Sequence, residues 1–336
     1  MRLSPALAGL LVALVLAGCL GPAEPAPGSQ AGLAWVSHAP APTARSEVAA
    51  GQLGAEIYVV GGFTADGRDS RKVEVYDAAA DRWHAAPDYP IGVHHTAVVG
   101  VGTTLFVFGG ATTEAFLPTP LAFKLAPGAA AWTPIAPLPA PRLAHAAAVV
   151  DGKVYIVGGL GGDRALARTV DVYDPVRDTW GSAPDLPTGR DHLTAVEAGG
   201  RVLVLGGDRQ SHATDLDVVE ALDPARGRWE TLSPMPVVRG AFSAAVWRGL
   251  VVATGGENDT EVFASTFGYD PAADRWLPLP SLATPRHGFG AASWGDRFYV
   301  LLGGPRPGLA VTPAVESLGP SDTARGVGMD PGPRGA

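Results

Sequence analysis

The chain has 336 residues, a formal net charge of −8 and only 17% charged residues. A mildly acidic chain argues against a nucleic-acid partner, since binding a phosphate backbone calls for a basic stripe, and no such partner is expected. Its 44 glycines and 31 prolines fall below the roughly 25–30% share of unpatterned low-complexity chain, and their regular spacing signals many turns rather than disorder.

The chain opens with Met1-Arg2, an apolar run Leu7–Val15 and the sequence Leu16-Ala17-Gly18-Cys19. The run is too short for the roughly 18–20 residues of a spanning helix and reads as an export signal. Its end resembles the lipobox of bacterial lipoproteins, which implies cleavage after residue 18 and a lipid anchor on Cys19. The expected location is then the face of a cell membrane or outer membrane, periplasmic or extracellular. Acyl chains hold by burying CH₂ groups at about 0.8 kcal/mol each. Cys19 is the only cysteine, so the mature domain depends on its core and not on disulfides. Residues 19–32, rich in Pro, Ala and Gly, read as a flexible tether.

From residue 33 the chain repeats. A short apolar run ends in Gly61-Gly62, Gly109-Gly110, Gly158-Gly159, Gly206-Gly207, Gly255-Gly256 and Gly303-Gly304, at steps of 48 or 49 residues. Such a period is the signature of a repeat architecture. The third copy is the clearest. His145–Val150 is a small-residue strand, Asp151-Gly152 a tight turn, and Val154–Val157 a β-branched and aromatic strand closed by the diglycine. After a polar loop, Thr169–Tyr173 alternates with period two, and Trp180 marks a last short strand. Trp83, Trp132, Trp229 and Trp276 mark the same strand in other copies.

These diglycines and spaced tryptophans resemble kelch repeats, the blades of a β-propeller. The resemblance spans about residues 33–318 and implies an all-β, six-bladed propeller with four antiparallel strands per blade. The last copy has no tryptophan after it, whereas Trp35 falls on the beat 48 residues before Trp83. An N-terminal strand is thus expected to complete the sixth blade and close the ring, removing two exposed sheet edges. The expected propeller covers 33–319, and residues 320–336 form a tail without apolar periodicity that is expected to be disordered.

Ten residues after five of the tryptophans stands Arg45, Arg142, Arg190, Arg239 or Arg286; only the second unit departs, with Val93 there and His94-His95 beside it. Where the first strand begins, these arginines are expected to ring one mouth of the channel, beside the loops after the diglycines. A planar fork of donors suits an anionic or carboxylate-bearing ligand; the alternative is that the arginine belongs to the repeat consensus and serves structure. His94, His95, His145, His192 and His287 fall at the same place. Their recurrence at one repeat position argues for structure and against a metal, so neither metal nor cofactor is expected. Asp191 and His192 are read as strand neighbours on opposite faces and hence as no dyad.

The expected function is a non-enzymatic binding or scaffold module at the cell envelope. It is a monomer that takes a protein, a carbohydrate or an anionic small molecule at the mouth, with no catalytic residue assigned. The alternative is an isomerase similar to the six-bladed kelch mutarotases that act on sialic acid, for which Glu47 and Glu257 are the only acid–base candidates. A copper oxidase similar to galactose oxidase is excluded, because that cofactor needs a Cys-Tyr crosslink and the mature chain has no cysteine beyond Cys19.

Overall fold

A computed structural model describes residues 32–112 and 116–321. The export signal, Cys19, all but the last residue of the tether, and the tail beyond Ser321 lie outside the described residues. Within them the chain forms six four-stranded antiparallel sheets. Blade 1 runs from the inner strand Ala49–Leu53 through Glu56–Val60 and Val73–Asp77 to the outer strand Arg82–Ala85. Blades 2 to 5 repeat this order with inner strands Ala97–Val101, Ala146–Val150, Thr194–Ala198 and Ser243–Trp247. The inner strands are built from small residues because six of them converge on one axis. The second strands carry the large β-branched and aromatic side chains, which are buried between neighbouring blades. Among the described residues no helix is long and apolar enough to cross a membrane.

Blade 6 closes the ring as expected. Its strands Gly290–Trp294, Arg297–Leu301 and Val315–Pro320 come from the end of the chain, and its outer strand, Leu33–Ser37, from the beginning. Five residue pairs, Leu33↔Pro320 to Ser37↔Glu316, join the two ends. The C-terminal strand runs one residue beyond the expected boundary at 319, and Ser321 N–H still donates to Gly32 O at 2.7 Å.

The marker tryptophans bind blade to blade. Each indole N–H donates to a carbonyl of the preceding blade: Trp83 to Ala39, Trp132 to Pro87, Trp180 to Ala136, Trp229 to Pro184 and Trp276 to Ser233, all at 2.9–3.1 Å. Trp35 does the same to Pro280 O at 2.8 Å, so the N-terminal strand is a full member of the set. Apolar ring faces and a satisfied N–H explain why Trp recurs here.

The glycine pairs hold left-handed backbone just past the second strands, and in five repeats they sit as the sequence implies. At Gly61 (φ +66°) a Cβ would lie 2.3 Å from Val93 O of the next blade, so both the turn and the close approach require glycine. The sixth repeat is shifted by one. Leu302 (φ +64°) and Gly303 (φ +101°) occupy the paired positions there, and Gly304 is already the first residue of the loop. The expected diglycine Gly303-Gly304 is thus out of register with the other five. Leu302 tolerates a left-handed conformation because its side chain is fully buried in the core between blades 6 and 1.

Candidate functional site

The chain approaches each inner strand through three residues that begin with the recurrent arginine or, in blade 2, with Val93. Two residues on, at Glu47, His95, Ala144, His192, Ala241 and Gly288, the backbone is left-handed, with φ between +49° and +56°. These six residues are bonded in a ring. His95 N–H donates to Glu47 O, Ala144 to His95, His192 to Ala144, Ala241 to His192 and Gly288 to Ala241, and Val48 N–H closes the circle on Gly288 O, at 2.8–3.3 Å throughout. A non-glycine residue in this conformation costs about 1–2 kcal/mol, and each inter-blade bond offsets part of that. Below the ring the channel is lined by the inner strands, with small residues such as Ala50, Ala146 and Ala195. Above it lies the mouth.

The five arginines do not line that mouth. Arg45, Arg142, Arg190, Arg239 and Arg286 are at most 1% exposed, and their guanidinium groups turn into their own blades. Arg45 donates to Gly61 O (2.6 Å), Lys72 O (3.0 Å) and Glu74 Oε2 (2.9 Å), tying the end of the second strand to the start of the third. Arg190 pairs with Glu220 at 2.5 Å, Arg142 with Asp171 at 2.6 Å, and Arg286 with Glu316. Arg239 has no such carboxylate. It donates to Gly255 O and Ser265 Oγ, and its guanidinium carbon lies 5.4 Å and 5.6 Å from the ring centres of Phe263 and Phe267. In blade 2, where Val93 replaces the arginine, Phe123 stands at the matching third-strand position and packs with Val93 and Tyr89. Four of the five buried arginines are matched by a carboxylate of their own blade, and Arg239 by carbonyl, hydroxyl and phenyl groups, which leaves no donor fork for an anionic ligand.

The mouth is instead lined by the two residues after each arginine position and by the residue after the glycine pair. These segments bridge to each other: Ser46↔Phe63, His94↔Ala111, Asp191↔Asp208, Gly240↔Glu257 and His287↔Gly304. With His212 and Asp215 from the loop that follows Asp208, the side chains they bring together form an alternating belt of carboxylates and imidazoles. His95 Nε2 lies 3.2 Å from Glu47 Oε2, and His287 Nδ1 lies 3.1 Å from Glu47 Oε1 and 2.9 Å from Glu257 Oε1. His212 Nε2 lies 3.5 Å from Glu257 Oε1, and its Nδ1 lies 3.3 Å from Asp215 and 3.8 Å from Asp208. His192 Nδ1 meets Asp191 at 3.0 Å and Asp208 at 3.3 Å, and the His95 and His192 rings touch edge to face at 5.2 Å, which completes the circuit.

Asp191 and His192 do form a pair, against the expectation drawn from strand alternation. His192 has φ +49°, so this is a bend and not a strand, and consecutive side chains can fall on one side. Glu47 and Glu257, named from the sequence, are brought together on His287. His145 is apart from the belt, buried beneath it, where burial and then the charge of Arg142 push its imidazole down to about 3.

The belt is strongly polarised. Burial opposes charge on His287, yet the carboxylates of Glu257 and Glu47 lift it to about 10. Hydrogen bonds that His212 donates to Asp215 and Glu257 lift it to about 10 as well, against burial. His192, though buried, is raised well above its usual value by Asp191 and Asp208. Burial would raise Glu47, but the imidazoles of His95 and His287 hold it far below the usual carboxylate range. His95 goes the other way, down to about 3, because burial outweighs the pull of Glu47. The belt thus holds charged and neutral imidazoles side by side within proton-transfer distance of carboxylates.

An apolar wall stands beside it. Phe63, His94 and Phe116 pack together, with His94 4.2 Å and 4.5 Å from the two phenyl centres. Phe116 and Leu309 are 39% and 58% exposed. Phe63, Leu309, Glu47, Glu257 and His287 line one cavity of about 180 Å³ above the ring. Repeat comparison could have found this site: three of the six left-handed positions carry Ala or Gly, while Glu47, His95 and His192 depart from that pattern.

Comparison with known proteins agrees with the architecture. A family profile described as "KLHDC2/KLHL20/DRC7 Kelch-repeats domain" matches residues 47–186, and one described as "Kelch motif" matches 189–236. Kelch-like protein 35 of Mus musculus is 30% identical over 141 residues, which covers 42% of this chain and 23% of that protein. Kelch-like protein 25 of Xenopus tropicalis is 29% identical over 153 residues, covering 46% and 25%. The chain therefore corresponds to about a quarter of the length of these relatives. F-box/kelch-repeat protein SKIP30 of Arabidopsis thaliana is 32% identical over 146 residues, covering 39% and 41%. The solved structure titled "Structure of YjhT" superposes with a TM-score of 0.72 at 16% identity, over 81% of this chain and 94% of that one, which is a likeness of fold. With both profiles inside a ring of six four-stranded blades, the chain belongs to the kelch-repeat family.

Proposed function

We propose that this propeller is a non-enzymatic binding module held at the cell envelope, and that its partner is a protein that inserts a basic side chain beside an apolar one into the mouth. Kelch propellers generally mediate protein–protein binding. The observation that carries the reading is the cavity that sets Glu47 and Glu257 opposite Phe63 and Leu309. Carboxylates attract a Lys or Arg, and the wall accepts its alkyl stem or an apolar neighbour. This replaces the anionic ligand implied by an arginine-lined mouth.

Immobilised protein should retain short peptides in which Lys or Arg flanks Leu or Phe, less strongly as salt rises. Glu47→Gln with Glu257→Gln should weaken capture at least ~10-fold, the loss of about 1.4 kcal/mol or more expected when charged partners are removed. Equal capture by the double variant, or preference for acidic peptides, would defeat the proposal.

One observation favours a second reading, a sugar isomerase similar to the kelch mutarotases: Glu47, His287 and Glu257 are spaced for proton transfer. In the same experiment, NMR of sialic acid anomer exchange separates the two. Acceleration by the wild type that is lost in the double variant would replace the binding reading.

Attachment to the envelope rests on the lipobox-like Leu16-Ala17-Gly18-Cys19. Cys19→Ala is expected to move the protein from the membrane to the soluble fraction, and an unchanged membrane fraction would rule out the anchor.

A further inference from the structure

The loop that follows the glycine pair of blade 4, from Asp208 to Asp215, carries more than the belt requires. Asp208 and Asp191 each spend one oxygen on the loop backbone. Ser211 N–H donates to Asp208 Oδ1 and Gln210 N–H to Asp191 Oδ1, both at 3.0 Å. The Oδ2 atom of Asp208 is thereby aimed at the imidazoles. The Asp215 side chain is only 2% exposed, and its Oδ2 is buried with no hydrogen-bond partner. A carboxylate oxygen sealed from water without a donor is destabilised unless a cation meets it; His212 and Arg239 lend charge to Asp215, but neither bonds to this oxygen.

We infer that Asp208, His212 and Asp215 form a site for a divalent transition metal ion of the zinc class. Their donor atoms lie within 4.8 Å of one another. His212 Nδ1 is 3.3 Å from Asp215 Oδ1 and 3.8 Å from Asp208 Oδ2, and His192 Nδ1 is 3.3 Å from that same Oδ2. Donors on a tetrahedral ion with bonds of about 2.0–2.2 Å stand about 3.3–3.6 Å apart. The two His212 separations are therefore within a few tenths of an ångström of that spacing.

Two further features fit. The second nitrogen of His212 faces Glu257 Oε1 at 3.5 Å, the carboxylate–histidine arrangement that orients a metal-binding imidazole. Gly240 leaves the cradle open, since a Cβ there would lie 3.0 Å from Asp208 Oδ2, 3.2 Å from Asp215 Oδ1 and 3.4 Å from His212 Nδ1. A cavity of about 310 Å³, lined by Asp208, His212 and Gln210, gives an ion a path in from solvent. Imidazole with carboxylate donors suits Zn²⁺ or Co²⁺ better than Ca²⁺ or Mg²⁺, which prefer all-oxygen shells. The site goes against the expectation of no metal; it shares Glu257 with the mouth, but its three donors lie outside the cavity proposed for the partner.

The test uses the tag-free protein with the metal alone. Titration with Zn²⁺ by calorimetry and with Co²⁺ by visible absorption is expected to show one ion per chain. Asp208→Asn and Asp215→Asn should each weaken it at least ~10-fold, with folding checked by circular dichroism. Gly240→Ala, which keeps every donor, should weaken binding by filling the cradle. No binding by the wild type, or affinity unchanged from the wild type in both Asp variants, would overturn the site. So would a loss confined to Glu47→Gln, which would place the ion on Glu47, Glu257 and His287.

Discussion

Deletion of Leu33–Ser37 is expected to abolish the cooperative thermal transition and send the protein into aggregates. The strand is only five residues long, but it is the seam of the ring. Its loss removes all five pairs with Val315–Pro320, the Trp35 indole bond to Pro280, and the edge-to-face contact of Trp35 with Phe298 at 6.1 Å. It also bares the edge of a buried, regular strand, a template for pairing with another chain. In a linear repeat array the loss of a terminal unit subtracts roughly that unit's share of stability. In a closed ring the same loss unlatches the inter-blade contacts on both sides. Calorimetry and size-exclusion chromatography give the readout. A deleted protein that stays monomeric and melts at the parent temperature would show that the other five blades hold without closure.

The second large effect concerns Arg190. Arg190→Met leaves Glu220 buried at 2% exposure with only Thr188 as a side-chain donor, at 2.8 Å. Breaking a buried pair in this way costs about 3–5 kcal/mol, on the order of a 10 °C fall in melting temperature for a domain of this size. The chain contains its own control. Blade 2 manages the same place with Val93 and Phe123 and no charge at all. Arg190→Val with Glu220→Phe should therefore recover most of what the single change loses, because an apolar pair of suitable volume can replace a buried ion pair. Arg239→Met should cost less, at most about 2 kcal/mol, since it forfeits cation–π contacts, hydrogen bonds and the longer-range attraction of Asp215 but breaks no direct ion pair. Equal losses for Arg190→Met and Arg239→Met, or no recovery in the paired variant, would refute the charge-matching account.

That account explains what the sequence showed and what it hid. The ring, the number of blades and the closing strand were legible because they rest on periodicity: glycine pairs, tryptophans and a Trp35 on the same beat. The one slip in register, at Leu302, was hidden because Gly304 supplied a second glycine where a doublet was sought, while the backbone used Leu302 and Gly303. The arginines were rightly found to recur. Their direction was not legible, because it depends on third-strand carboxylates about 30 residues away, such as Glu74 for Arg45 and Glu220 for Arg190. The belt was missed for a local reason. Left-handed residues at Glu47, His95 and His192 break strand alternation, so side chains assigned to opposite faces meet at the mouth. What carried the information was departure from the repeat, since a titratable residue where other blades keep Ala or Gly marks the functional face.

The clasp in blade 6 also has a consequence in time. Leu33–Ser37 is the first strand of the propeller to be synthesised and the last to find its partner. Roughly 280 residues separate it from Val315–Pro320, a delay on the order of tens of seconds at translation rates of about 5–20 residues per second. Throughout that interval Trp35 and its neighbours have no blade to join, and any helper that shields nascent chain must hold this segment longest. The native ring is completed only when the final strand emerges, so a prematurely ended chain has no closed state to reach.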